Sequence, residues 1–212
     1  MRFFISTTSF HLSFIAFVMQ SISLFFLLQK FRDAFKSRCH KRGVLMNYIE
    51  YDLLFESRNQ LIEEITELDE TMLHHRPASE VWSIAQICHH LYLTEQVFTE
   101  AIANGIRERD FNNIIQKNIY LVTNRTKKFV SPDIVSPSST PFQLSGLMDF
   151  LAESRDRLLQ VLYDMDSDIL LSRKKAKHPL FGDLSLDQWI ELLSLHEQRH
   201  IKQIQEIKSA LI

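Results

Sequence analysis

The chemistry of this chain gathers near its C-terminus, where His196-Glu197-Gln198-Arg199-His200 reads H-E-x-x-H. On a helix, residues four apart share one face, so His196 and His200 can reach one metal ion. Taken alone, the string describes a zinc metalloprotease with Glu197 as general base. The rest of the chain disagrees. A protease of that type takes its third ligand from further along the chain. The twelve residues after His200 hold no His, and their one acid, Glu206, lies on the same helix. A third ligand must come from upstream.

Trp82-Ser83-Ile84-Ala85-Gln86-Ile87-Cys88-His89-His90-Leu91 opens an amphipathic helix. Ser83 with Gln86 makes a capping box that starts it at a defined place. Apolar residues at 84, 87, 91 and 98, with Cys88, mark a buried face. His90, three residues after Ile87, falls near that face, and His89 lies about 100° away. A His inside a bundle, facing a His-x3-His on another helix, makes a three-imidazole site.

The start W-S-x-x-Q-x-x-x-H-L and the finish W-x6-H-E-x-R-H-x-x-Q-I, from Trp189 to Ile204, resemble the DinB/YfiT-like superfamily. So does His178-Pro179-Leu180-Phe181-Gly182 before the last helix. The resemblance covers roughly residues 46–212. It implies an all-α four-helix bundle holding a divalent metal, zinc or nickel, on three histidines. Matched residue by residue, these are His90, His196 and His200. It also implies thiol S-transferase chemistry, joining a low-molecular-weight thiol co-substrate to an electrophile in detoxification or stress. Its alternatives are a hydrolase using metal-bound water and a non-catalytic metal-binding stress protein. A homodimer and a small-molecule substrate are further expectations of the resemblance.

Composition narrows the setting. The chain has 212 residues, enough for one good core. Two cysteines, Cys39 and Cys88, make no disulfide scaffold and suit a reducing cytoplasm. The net charge of −2 hides an asymmetry: residues 1–45 hold seven Lys/Arg and one acid, leaving 17 basic and 25 acidic residues in 46–212. An acidic body argues against nonspecific nucleic-acid binding, which depends on neutralising phosphates. Gly is scarce at four residues, and no G-x-G-x-x-G or Walker A string exists.

Residues 1–45 form an apolar, then basic, leader. Phe3 to Gln29 carries no charge, and basic residues follow at 30, 32, 36, 38, 41 and 42. Two main readings arise, with some other processed leader as a third: upstream sequence not normally translated, with Met46 as the true start, or a membrane anchor holding the domain on the cytoplasmic side. Membrane association is expected only on the second reading.

Residues 46–212 read as one domain with four helical stretches, at about 48–72, 83–104, 141–164 and 186–210. Arg76-Pro77 breaks the chain after the first, and Gly105 ends the second. Ser139 or Thr140 caps the third, with Pro141 in its first turn. Ser185 with Gln188 forms a second capping box. Asn112 to Val122 reads as a short helix or strand, and Ser131 to Ser139 as an extended linker. Short links flank one long connection, giving a four-helix bundle with a long crossover between helices 2 and 3.

The remaining candidates have plainer roles. Glu197 reads as an exposed helix acid, with general base as its alternative. Arg199 reads as a surface ion pair, with anionic-substrate binding as its alternative. Gln203, three residues after His200, could orient a ligand imidazole. Trp82 and Trp189 read as packing anchors, and Cys88 as a small buried apolar group. His74 and His75 suit a helix end, and His178 a loop near the site.

Overall fold

The computed structural model describes residues 48–211 apart from Asn112, Lys128 and Ser167, together with Asp33 and Ser37. The leader reading for residues 1–45 and the start at Met46 lie outside the described residues.

The described residues form five α-helices: α1 (Tyr48–Ile65), α2 (Glu70–His74), α3 (Ile84–Arg107), α4 (Leu144–Asp164) and α5 (Leu186–Ser209). The four long ones form a four-helix bundle, with α3 against α4 and α5, and α1 against α5. The long crossover between the second and third bundle helices runs from residue 108 to 143 and contains 3-10 turns at Ile119–Thr123 and Asp133–Val135. Among the described residues, no helix is long and apolar enough to cross a membrane.

The ends of the helices depart from expectation for identifiable reasons. The first stretch splits, because Asp69 accepts a hydrogen bond from Met72 N at 2.8 Å and starts α2 as a separate turn. Gly105 does not end α3, which continues to Arg107. It is small because a Cβ there would lie 2.7 Å from Leu186 Cδ2 and 3.0 Å from the Lys175 carbonyl. Helix α4 starts at Leu144 rather than Pro141, with Gln143 at its cap position and no side-chain capping bond. Upstream, Thr140 N bonds to Ser138 Oγ in a local turn of its own.

The box at Ser83 and Gln86 forms, with bonds of 3.3 and 3.1 Å. The one expected at Ser185 and Gln188 does not. Ser185 Oγ instead accepts from Gln116 Nε2 at 3.2 Å. Gln188 accepts from Lys117 N at 3.0 Å and donates to Lys117 O at 2.8 Å. Both side chains are spent on docking the crossover. An antiparallel hairpin that the periodicity did not signal, β1 (Lys175–His178) and β2 (Gly182–Ser185), precedes α5. Gly182 closes it at φ +71°, a conformation that favours glycine.

The apolar core falls into two clusters, one around Phe98, Leu158 and Trp189, the other around Ile87, Leu151 and Ile204. A buried polar layer divides them. Each bundle helix contributes: Ser57 and Arg58 from α1, Glu95 from α3, Ser154 and Arg155 from α4, and Glu197 from α5. All six residues are at most 3 % exposed.

Candidate metal centre

Two helices carry the site, and the start of α3 is fixed by local chemistry. The capping box at Ser83 sets where α3 begins, and therefore which way His90 points two turns later. His196 and His200 stack one turn apart on α5 and face α3. His90 Nε2 lies 3.3 Å from His196 Nε2. One candidate ligand atom from each of His90, His196 and His200 lies within 4.8 Å of the other two.

The outer nitrogens show how two of the rings are held. His90 Nδ1 donates to the Val135 carbonyl at 2.7 Å. His200 Nδ1 donates to Gln203 Oε1 at 3.0 Å. In a neutral imidazole only one nitrogen carries the proton, so these bonds leave both Nε2 lone pairs facing inward. Burial holds His90 below the usual histidine range, against a smaller opposing effect of its Val135 bond. Burial, then repulsion from the neighbouring histidines, holds His196 and His200 well below it. The three rings are therefore neutral at pH 7, the form that ligates metals. His196 Nδ1 is buried with no hydrogen-bond partner among the described residues.

Three converging neutral imidazoles, two of them oriented through their outer nitrogens, fit a divalent cation. A bound cation would accept a lone pair from each of the three rings.

Trp82 and Phe98 wall the cluster. The Trp82 ring centre is 4.8 Å from that of His90 and 6.4 Å from that of His200. Phe98 stands 6.4 Å from His196. The Thr94 hydroxyl, one turn along α3, is 3.5 Å from His90 Nε2.

Glu197 is not an exposed acid, and it does not face the histidines. It is 2 % exposed and belongs to the polar layer. Ser57 Oγ donates to it at 2.5 Å, Arg58 Nε at 2.7 Å and Arg155 Nη2 at 3.3 Å. The reason is angular: one residue on from His196 turns it about 100° around the helix, toward α1 and α4.

Arg199 is likewise not in a surface ion pair. It donates to the carbonyls of Val122 at 2.9 Å, Asn124 at 2.6 Å and Lys127 at 2.7 Å.

Other candidates fall outside the cluster. His89 Nδ1 accepts from Ser138 N at 3.0 Å, and its ring packs on Phe142. His74 Nε2 donates to the Phe142 carbonyl at 3.0 Å. His178 ends β1, where its Nδ1 accepts from Leu180 N at 3.1 Å, and burial brings it down to about 4. Trp189 is core, with its Nε1 on the Ala176 carbonyl. Burial pushes the Cys88 thiol up to about 12, so it is no nucleophile near neutral pH.

Sequence reasoning missed Arg58, Glu95 and Arg155. A signal was present. Arg58 lies between Leu54 and Leu61, Glu95 between Leu91 and Phe98, and Arg155 between Leu151 and Leu158. Each charge therefore occupies a position in phase with its helix's apolar face. The Val135 carbonyl had no signal at all, since any residue has one.

Comparison with known proteins agrees with this architecture. The uncharacterised protein YuaE of Bacillus subtilis (strain 168) is 24% identical over 159 residues, covering 74% of this chain and 95% of that protein. Among solved structures, YfiT from Bacillus subtilis is described as a probable metal-dependent hydrolase with an unusual four-helix bundle topology. It aligns at a TM-score of 0.53 and 18% identity, covering 76% of this chain and 85% of that one. TT2238, a four-helix bundle protein, aligns at 0.50 and 18%, covering 74% and 96%. The family model of the DinB superfamily matches residues 53–204, and the chain belongs to that superfamily.

Proposed function

We propose that this protein is a metal-dependent thiol S-transferase. In this reading His90, His196 and His200 hold a divalent ion, zinc or nickel, and the substrates are a low-molecular-weight thiol and a small electrophile. The observation that carries the reading is the convergence of three neutral imidazoles with the nearby acid, Glu197, turned away into a salt-bridge layer. A bound divalent ion supplies Lewis acidity and favours the thiolate form of a thiol near neutral pH.

With Glu197 turned away, the histidine motif offers no carboxylate to act as a base. That favours a nucleophile needing little help with its proton. A thiol has a pKa of about 8.5, against about 15.7 for water. In the transfer, sulfur forms the new bond to carbon, the leaving group departs with its electron pair, and the thiol proton passes to solvent. Trp82 and Phe98 offer an apolar wall to the electrophile, and the Thr94 hydroxyl offers a neutral hydrogen bond. A small-molecule substrate and a cytoplasmic location suit a thiol-dependent reaction.

A second reading, metal-dependent hydrolysis, is favoured by the description of YfiT. One experiment separates the two. The full chain is loaded with zinc or nickel and offered an electrophilic model substrate with and without glutathione, cysteine or bacillithiol. Thiol-dependent conjugation is the expected result. Ester or amide cleavage without thiol would replace the transferase with a hydrolase, and inactivity under all conditions would leave a metal-binding protein without turnover.

A further inference from the structure

Of the three residues between His196 and His200, Glu197 goes to the polar layer, and Arg199 goes to the crossover. Its fork is spent on three backbone carbonyls, at 122, 124 and 127, and the Phe129 ring stacks 5.4 Å from it. At 8 % exposure it is nearly buried. Three charge-assisted bonds from one guanidinium make a strong clamp on the end of the Ile119–Thr123 turn and the residues just after it.

Eight residues beyond Lys127 the same segment meets the metal site. Asp133–Val135 forms a 3-10 turn, closed by Val135 N on Pro132 O at 3.0 Å and Ser136 N on Asp133 O at 3.0 Å. That turn presents the Val135 carbonyl to His90 Nδ1. Little burial holds the stretch between: Phe129 is 43 %, Val130 97 % and Ile134 73 % exposed. The position of the Val135 carbonyl is therefore set by the turn's own packing on α3 and by the anchors at either side. On one side is Arg199. On the other are Val135 itself, 6 % exposed, and the Ser138 N bond to His89.

We propose that Arg199 is a positioning residue: by clamping the crossover onto α5, it sets the Val135 carbonyl that orients the His90 imidazole on α3. The arginine of the histidine motif thus serves the one ligand that lies outside the motif. His200 needs no such help, because Gln203 holds it from within α5.

The test uses the full chain, in metal-free form for one arm and with zinc alone for the other. Nitrogen-resolved NMR of the imidazoles reads the first arm. In the unmutated protein, the His90 and His200 Nδ1 protons should both be protected from exchange. Arg199→Ala should abolish the His90 signal and spare that of His200, while Gln203→Ala should do the reverse. Zinc affinity by chelator competition reads the second arm. Arg199→Ala should weaken it about 10–100-fold, the range for lost outer partners of a ligand, with helix content unchanged by circular dichroism. Arg199→Lys, which keeps the charge and loses the fork, should behave like Arg199→Ala and serves if that variant does not fold.

The proposal is overturned if the His90 proton stays protected without Arg199, or if the unmutated protein shows no protected His90 proton. It is also overturned if both histidine signals vanish together in folded Arg199→Lys. The zinc arm rests on the reading of the three histidines as ligands. If the unmutated protein binds no zinc, that reading fails, and the imidazole arm still decides the role of Arg199.

Discussion

The bundle buries two polar clusters side by side, built in opposite ways. In the layer of Arg58, Glu95, Arg155 and Glu197, each charge meets its opposite. Glu95 receives Arg155 Nε at 2.5 Å, Arg58 Nη2 at 2.6 Å and Ser154 Oγ at 2.5 Å. Arg58 and Arg155 also donate to the carbonyls of Leu151 and Leu54. In the histidine cluster, neutral ring nitrogens converge on one another, and His196 Nδ1 has no partner among the described residues. The difference separates a strut from a site. A satisfied network joins four helices and has no capacity left for a ligand. A cluster of converging neutral imidazoles, one nitrogen of which lacks a partner, keeps the capacity to bind a cation.

That contrast can be broken experimentally. The largest effect is expected at Glu95. Glu95→Ala leaves two buried guanidiniums short of a counter-charge, and removing one partner of a buried pair costs about 3–5 kcal/mol. Denaturant unfolding of the metal-free protein measures it, and a loss below about 1 kcal/mol would mean the layer is not a closed network.

At the other cluster, His90→Ala, His196→Ala or His200→Ala should weaken zinc more than about a hundredfold, beyond the range for an outer partner. The fold should persist. His89→Ala should leave zinc affinity nearly unchanged. If His89→Ala empties the site while His90→Ala does not, the assignment on α3 is wrong.

Acid should distinguish the clusters by where each fails. The histidines are held below 6.5, so the unfolded chain takes up protons first as pH falls. Metal-free stability should begin to drop below about pH 6.5, with the contribution of His178 fully lost only near its folded value of about 4. Burial alone would raise the Glu95 carboxyl, but Arg155 and Arg58 overcome it and bring it down to about 2. Its contribution is present above the ordinary carboxylate value of 4.5 and is lost as pH falls toward about 2. A single acid transition confined below about pH 4 would contradict this order.

Smaller effects sharpen the boundary between the clusters. Gln203→Ala should weaken zinc about tenfold by freeing the His200 ring, without the stability loss of Glu95→Ala. Glu197→Gln should leave zinc affinity unchanged at temperatures where the variant is folded, and thiol transfer largely intact. A loss of activity beyond about a hundredfold, the scale of a missing general base, would move Glu197 from strut to site and favour hydrolysis.

The pattern of residues along the chain was enough to place the helices of the bundle, the long crossover, and the face that His196 and His200 share. These follow from periodicity and capping, which act within a turn or two of a single helix. The Ser83 box formed as written because its partners are three residues apart on one element. The Ser185 box did not, because the crossover supplied better-placed partners at Gln116 and Lys117. The bond from His200 to Gln203 was legible for the same reason of short range.

What only the tertiary structure decided is which neighbour each side chain meets across the bundle. Helical geometry states that Glu197 points about 100° away from His196. It does not state that Arg58 and Arg155, 139 and 42 residues distant, wait there. Nor does it state that the carbonyl orienting His90 comes from Val135, 45 residues along an aperiodic crossover. A periodic pattern encodes direction around its own axis. The path of a connection, and the backbone groups it delivers, depends on every anchor along it, and those anchors exist only once the helices have packed.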